Sequence, residues 1–292
     1  SNYSLAGETL KADIAQKQVN ITEFAAANKT YDGNTTATIS NAGKLNGVLE
    51  GDATKVALTN TGATFDTKNA GTAKTVTLNG KALTGDEAKN YVLATTPVTA
   101  QADIAQKQLT VTGFAAGNKT YDGNTTATIS NAGTLNGVVQ GDAGKVTLTN
   151  TGATFDTKNA GTAKTVTLNG KALSGDEAQN YVLATTPVTA QANIDRRALS
   201  IAGSVVANKT YDGNTVATVT AGTLSGLVQG ETLGATTATG QFADKNAGTG
   251  KNVTVAYTLA NGEQGQASNY SLAGETLKAD IAQKQVNITE FA

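Results

Sequence analysis

The chain has 292 residues with a net charge of −1, 15% charged residues, and no His, Cys, Met or Trp. Without His and Cys, Ser-His and Cys-His nucleophile systems and the usual zinc sites are excluded. Near-neutral charge leaves no basic footprint for nucleic acid or anionic lipid, and no apolar run approaches the roughly 18 residues of a membrane span.

The first alternating stretch is 19–24, with Val19 and Ile21 on one face and polar residues between them. Further Val- and Thr-rich stretches follow at 36–39, 56–59, 74–78, 91–94 and 98–104. Turn signals separate them at Asp32-Gly33, Gly51-Asp52, Asn69 to Gly71, Asn79-Gly80 and Gly85-Asp86. Residues 85–90 allow at most a single helical turn. With 39% apolar but only 5% aromatic residues, each core is expected to be small and aliphatic.

The pattern then repeats. Tyr-Asp-Gly occurs at Tyr31, Tyr121 and Tyr211, and residues 28–100 and 118–190 differ at seven of 73 positions. A fixed period of domain size means tandem copies of one module. Residues 1–25 are identical to 268–292. Together with the absence of Met, this reads as one super-repeat of three modules cut from a longer array. The expected organisation is a closing strand of a preceding repeat (1–15), repeat 1 (16–105), repeat 2 (106–195), repeat 3 (196–282) and the first strand of a following repeat (283–292).

About seven strands per module predict an all-β fold of tandem immunoglobulin-like β-sandwich modules, end to end in an elongated rod. The alternative is a β-grasp-like module. Its helix would have to lie in 41–52, where the Gly content opposes it. The joints carry no Gly, Ser or Pro spacer, so the last strand of one module is expected to run almost directly into the first of the next. The joint landmarks Ile14, Ile104, Ile194 and Ile281 recur in one register, and Ile104 is expected to cap a core. Asp195-Arg-Arg197 brings charge to the third joint.

Tyr-Asp-Gly has a functional reading, sugar stacking on Tyr beside a carboxylate. The structural reading is a tight turn at Asp32-Gly33, with the Tyr31 ring buried at a strand end and its hydroxyl hydrogen-bonded. Turn chemistry explains the dipeptide, so the structural reading is preferred. Phe65 reads as a core residue before a side-chain-capped turn, and 83–91 as a loop anchored by Tyr91. Candidate calcium ligands are Asp13 and Asp103 near joints and Asp52 and Asp86 in loops, without the density of a calcium loop. An internal isopeptide bond with loss of ammonia would draw on Lys29, Asn69, Asn90 and Asp32. Ice binding is suggested by Thr36-Ala-Thr38 and Thr75-Val-Thr77, which strand propensity already explains. Asn2, Asn20, Asn28, Asn34 and Asn252 lie in glycosylation sequons. No catalytic, cofactor or metal residues are assigned, and no enzyme activity is expected.

Three blocks recur in order: Asn-Lys-Thr-Tyr-Asp-Gly-Asn-Thr, then Lys-Asn-Ala-Gly, then Gly-Asp-Glu-Ala-x-Asn-Tyr. They resemble the YDG repeat domains of large bacterial surface adhesins of the filamentous-haemagglutinin type, exported by a two-partner system. Repeat 3 departs in the last block, with residues 263–268 replacing Gly-Asp-Glu-Ala, which leaves the Asp of that loop without a shared role. The resemblance implies extracellular, monomeric stalk modules on a bacterial surface that extend a distal binding domain. The partners expected are the other repeats of the chain, with no nucleic acid and no membrane insertion. The competing expectation is an adhesive module binding glycan or a host or abiotic surface through loops 41–52 and 80–90. A third is a calcium-rigidified or ice-binding extender.

Overall fold

The computed structural model describes residues 2–289. The last three residues of the expected following strand, 290–292, lie outside them. The described chain is all-β, its only helical pieces being single 3-10 turns, and no helix is long and apolar enough to cross a membrane.

Repeat 1 holds twelve short strands where the sequence suggested about seven: β1 (Lys17–Thr22), β2 (Ala25–Ala26), β3 (Lys29–Thr30), β4 (Thr36–Ala37), β5 (Ile39–Asn41), β6 (Lys44–Asn46), β7 (Ala57–Thr59), β8 (Gly62–Phe65), β9 (Gly71–Asn79), β10 (Ala82–Thr84), β11 (Tyr91–Leu93) and β12 (Thr99–Ala105). Bulges and Asx turns break what alternation alone would leave continuous. The segment 41–52 carries β6 and a 3-10 turn at Glu50–Asp52 rather than a longer helix.

A five-stranded sheet runs β3-β12-β9-β8-β4. Its long strand β9 alternates as strand geometry demands: Val76 and Leu78 point into the core while Thr75 and Thr77 face outward. Smaller sheets, β11-β1-β6, β10-β7 and β2-β5, complete the repeat. Two pairings are parallel, β1 with β11 and β3 with β12. These depart from the purely antiparallel sheets of an immunoglobulin domain.

The chain packs as two compact units that do not follow the sequence period. The first holds residues 2–111, 135–149 and 172–185; the second holds 112–134, 150–171 and 186–289. Unit 1 therefore joins repeat 1 to two of the three small sheets of repeat 2, while the third, Ala115–Ala116 with Ile129–Asn131, lies in unit 2. One core in unit 1 draws on Tyr31, Phe65, Val76 and Ile104 from repeat 1, and on Leu109, Val146 and Tyr181 from repeat 2. A second gathers Val19, Val56 and Tyr91. Unit 2 joins the five-stranded sheet of repeat 2 to repeat 3, again with one core drawing on both repeats, from Phe155 and Ile194 to Leu199 and Tyr270.

β12 ends at Ala105 and the next strand, β13 (Lys107–Thr112), begins after a single intervening residue. Thr189–Asp195 passes into Arg197–Ala202 in the same way, and Arg197 Nε donates to the Gly226 carbonyl at 2.6 Å. Ile104 is buried as expected, and Ile194 and Ile281 are buried too. Ile14 is not: it is 99% exposed, because residues 2–15 pair with no strand, whereas their sequence twin forms Tyr270–Leu272 and Glu275–Ala282.

Candidate functional site: a latch between consecutive repeats

Each residue of the Asn28 to Thr35 motif has a local task. The Asn28 side-chain oxygen accepts from the Asp103 amide at 2.7 Å, tying the motif to β12. The Lys29 ammonium donates to Asp32 Oδ1 at 2.7 Å, to the Asn34 carbonyl at 2.9 Å and to the Thr36 carbonyl at 3.0 Å, and sits over the Phe65 ring. Asp32 and Asn34 each accept a backbone N–H two residues on, forming successive Asx turns. Lys119 and Lys209 are clasped in the same way. Burial raises the Asp32 carboxyl, but the Lys29 ammonium and the Asn34 amide outweigh it, so its pKa falls below the ordinary value.

Gly33 has φ +82°, and a Cβ there would lie 3.0 Å from Val139 Cγ1 of the next repeat. Both the turn and that close approach require glycine.

Tyr31 completes the motif. Its ring is buried, and its hydroxyl donates at 2.8 Å to Oδ2 of Asp142, in repeat 2 but in the same compact unit. Tyr181 donates to the same oxygen at 2.6 Å, and the two rings meet edge to face, 5.3 Å between centroids. Lys68 Nζ lies 3.4 Å from Asp142 Oδ1 and 2.7 Å from Glu177 Oε1. Asn180 accepts from the Ala70 amide at 2.9 Å and donates to Glu177 at 2.6 Å.

Unit 2 repeats the arrangement with a longer acid. Tyr121 and Tyr270 donate to the two oxygens of Glu231 at 2.5 and 2.7 Å. Lys158 lies 3.1 Å from Glu231 Oε1, and Asn269 accepts from the Ala160 amide at 2.8 Å.

Burial pushes both carboxyls up, yet the tyrosine hydroxyls and the lysine bring Asp142 and Glu231 below their ordinary values. Burial and the neighbouring acid push the phenols of Tyr121 and Tyr270 up to about 12. The result is an ionised acid, two neutral phenols and a lysine. Among the described residues no buried side-chain nitrogen or oxygen lacks a partner. Such a satisfied network fixes geometry; it holds no activated nucleophile.

The other candidates fall elsewhere. Asp103 caps the β9 bulge by accepting from the Ala73 amide at 2.8 Å, and Asp52 accepts from the Tyr91 hydroxyl at 2.7 Å. Asp13 and Asp86 are exposed, and among the described residues no group of three acids converges as a metal would need. Lys29 bonds within its own turn, whereas Asn69 faces Asn180 and Asn90 bonds Glu87, so the isopeptide set is not assembled. Sequence reasoning missed Asp142 and Glu231 as the partners of Tyr31 and Tyr121. Their signal was the Gly-acid pair recurring at 51–52, 141–142 and 230–231. A polar cleft of about 320 Å³ beside the second latch is lined by Tyr121, Lys158, Glu231, Glu263 and Asn269.

Fold and site together define an all-β tandem-repeat protein whose copies are locked by a buried acid. The YDG domain matches residues 15–99, 105–189 and 195–277, and the chain belongs to the YDG domain family as three tandem repeats. No curated protein matches this chain.

Proposed function

We propose that the chain is a structural stalk segment of a large bacterial surface adhesin of the filamentous-haemagglutinin type, which holds a distal binding domain away from the cell. The observation that carries this reading is the joint in unit 1. β12 and β13 are separated by one residue, Ile104 and Leu109 share a core, and the Tyr31–Asp142 latch closes over it. A joint without a coil resists bending, and parting the repeats would expose a charged acid and two phenols. The reading assigns no catalysis. At the finer level of fold we keep a two-layer sandwich of immunoglobulin-like architecture, its layers the five-stranded sheet of one repeat and the small sheets of the next.

Small-angle scattering tests the stalk. An elongated particle is expected, unchanged by a calcium chelator, and a compact globule overturns the reading. The polar cleft beside Glu231 favours a second reading, glycan capture. Glycan-array binding by the chain that is lost in Lys158→Met would support it.

A further inference from the structure

We propose that the cleft beside the second latch binds a carboxylate, and that the ligand carrying it is a sugar acid of the hexuronate class. The sugar rests on the glycan reading of this cleft. The carboxylate rests on a comparison of the two latches and stands without that reading.

In unit 1 the latch holds two acids. Besides Asp142, Glu177 takes the Lys68 ammonium on Oε1 at 2.7 Å and the Asn180 carboxamide on Oε2 at 2.6 Å. The Tyr31 hydroxyl lies 3.5 Å from the same Oε2. A lysine, a buried Asn and a phenol thus form a three-sided carboxylate grip, and the chain fills it with its own side chain.

Unit 2 keeps the grip and loses the acid. Lys158, Asn269 and Tyr121 stand where Lys68, Asn180 and Tyr31 do, and Asn269 is as deeply buried as Asn180. In the place of Glu177, just before the 3-10 turn Ala267–Asn269, the sequence has Gln266. Its ψ is 122° against 4° at Glu177, and its side chain is exposed and bonds neither Lys158 nor Asn269. The loop ahead of it is tied to itself, with the Gly262 amide on the Gly265 carbonyl at 2.9 Å and the Ala267 amide on Asn261 Oδ1 at 2.8 Å. Between that loop and the latch lies the cleft of about 320 Å³.

The donors on the cleft wall have capacity to spare. Among the described residues the Lys158 ammonium, with three N–H groups, pairs with Glu231 alone, where Lys68 serves two acids. Asn269 keeps its bond to Asn159 at 3.2 Å, as Asn180 keeps Asn69, but has no counterpart of the Glu177 carboxylate. Charge agrees. Lys158 balances Glu231, whereas Lys68 faces both Asp142 and Glu177, so a bound carboxylate gives the second latch the balance of the first. Glu263 on the rim opposes an anion. Gln264 and Gln266 line the rim with carboxamides, which donate and accept at once and so match sugar hydroxyls.

Amide NMR on the full chain is the test, with glucuronate, acetate and glucose at constant ionic strength. Each is titrated to about 10 mM, tenfold above a Kd of about 1 mM. Glucuronate should shift the Asn269 side-chain resonances saturably and leave those of Asn180, whose grip Glu177 fills. Lys158→Met should weaken binding at least about tenfold. At the exposed rim, Glu263→Gln should tighten binding, and Gln266→Glu should weaken it by adding a negative charge. Melting temperatures check folding, and the two rim variants carry the test should Lys158→Met not fold. Acetate that binds as well as glucuronate supports the carboxylate grip and overturns the sugar. Glucose that binds as well as glucuronate overturns the carboxylate and leaves glycan capture standing. The whole proposal is overturned if neither acid shifts Asn269 saturably, or if Asn180 shifts equally, which would mark diffuse anion binding.

Discussion

At the scale of single residues, the Tyr-Asp-Gly signature divides into separate tasks. Asp32 holds the Lys29 clasp, Gly33 makes room for Val139, and Tyr31 reaches the acid of the next repeat. Tyr31→Phe removes one of two phenolic donors from a buried carboxylate, and a loss of about 1–3 kcal/mol in urea unfolding is expected. The loss should shrink in an Asp142→Asn background, because both changes act on one bond. The same acid sets a pH dependence. Asp142 titrates below its ordinary value in the folded state, so its contribution is whole above the unfolded carboxylate range. It is lost as pH falls through the depressed folded value. Melting temperature should therefore decline below about pH 4, and less steeply in Asp142→Asn. Ala73 offers a change in the other direction. It sits at φ +49° in the β9 bulge, where repeat 3 has Gly250 at φ +60°. The left-handed penalty on Ala exceeds the extra chain entropy of Gly, so Ala73→Gly should stabilise by about 0.5 kcal/mol, read by thermal melting.

At the scale of elements, strand positions were legible in the sequence and strand partners were not. The alternation around Val76 and Leu78, the turn at Asp32-Gly33 and the near-continuous passage from β12 to β13 all follow from local chemistry, which a single repeat carries in full. The burial of the Tyr31 ring and the bonding of its hydroxyl were legible for the same reason. Its partner was not, because Asp142 lies 111 positions away and no local rule links them. The parallel pairing of β3 with β12 is hidden in the same way, joining residues more than 70 positions apart. Asp103 was weighed as a cation ligand. Its work, capping the Ala73 bulge, depends on a register shift between β9 and β12 that alternation does not reveal.

At the scale of the molecule, packing and sequence run out of phase. Repeat 2 gives two of its small sheets to one compact unit, and its five-stranded sheet with the third small sheet to the other. Stability should then follow nearest-neighbour rules, with each copy supported by the next. Residues 16–105 alone keep the strands of both sheet sets but lose Asp142, Asn180 and Tyr181. They should melt below the two-repeat protein 16–195, and the gap should narrow when the longer protein carries Asp142→Asn. Equal melting of the two proteins would mean that the joint adds nothing.

The placement of the latch groups bears on how such a gene can change. Tyr31, Lys68 and Asn69 face forward along the chain, while Asp52, Asn90 and Tyr91 of the same copy match the groups that face back in repeat 2. Each repeat thus carries one plug and one receptacle. Unequal crossing-over between the near-identical stretches at 28–100 and 118–190 would insert or delete both at once. The array could then be lengthened or shortened by whole copies, and no interior joint would be left with an orphaned acid.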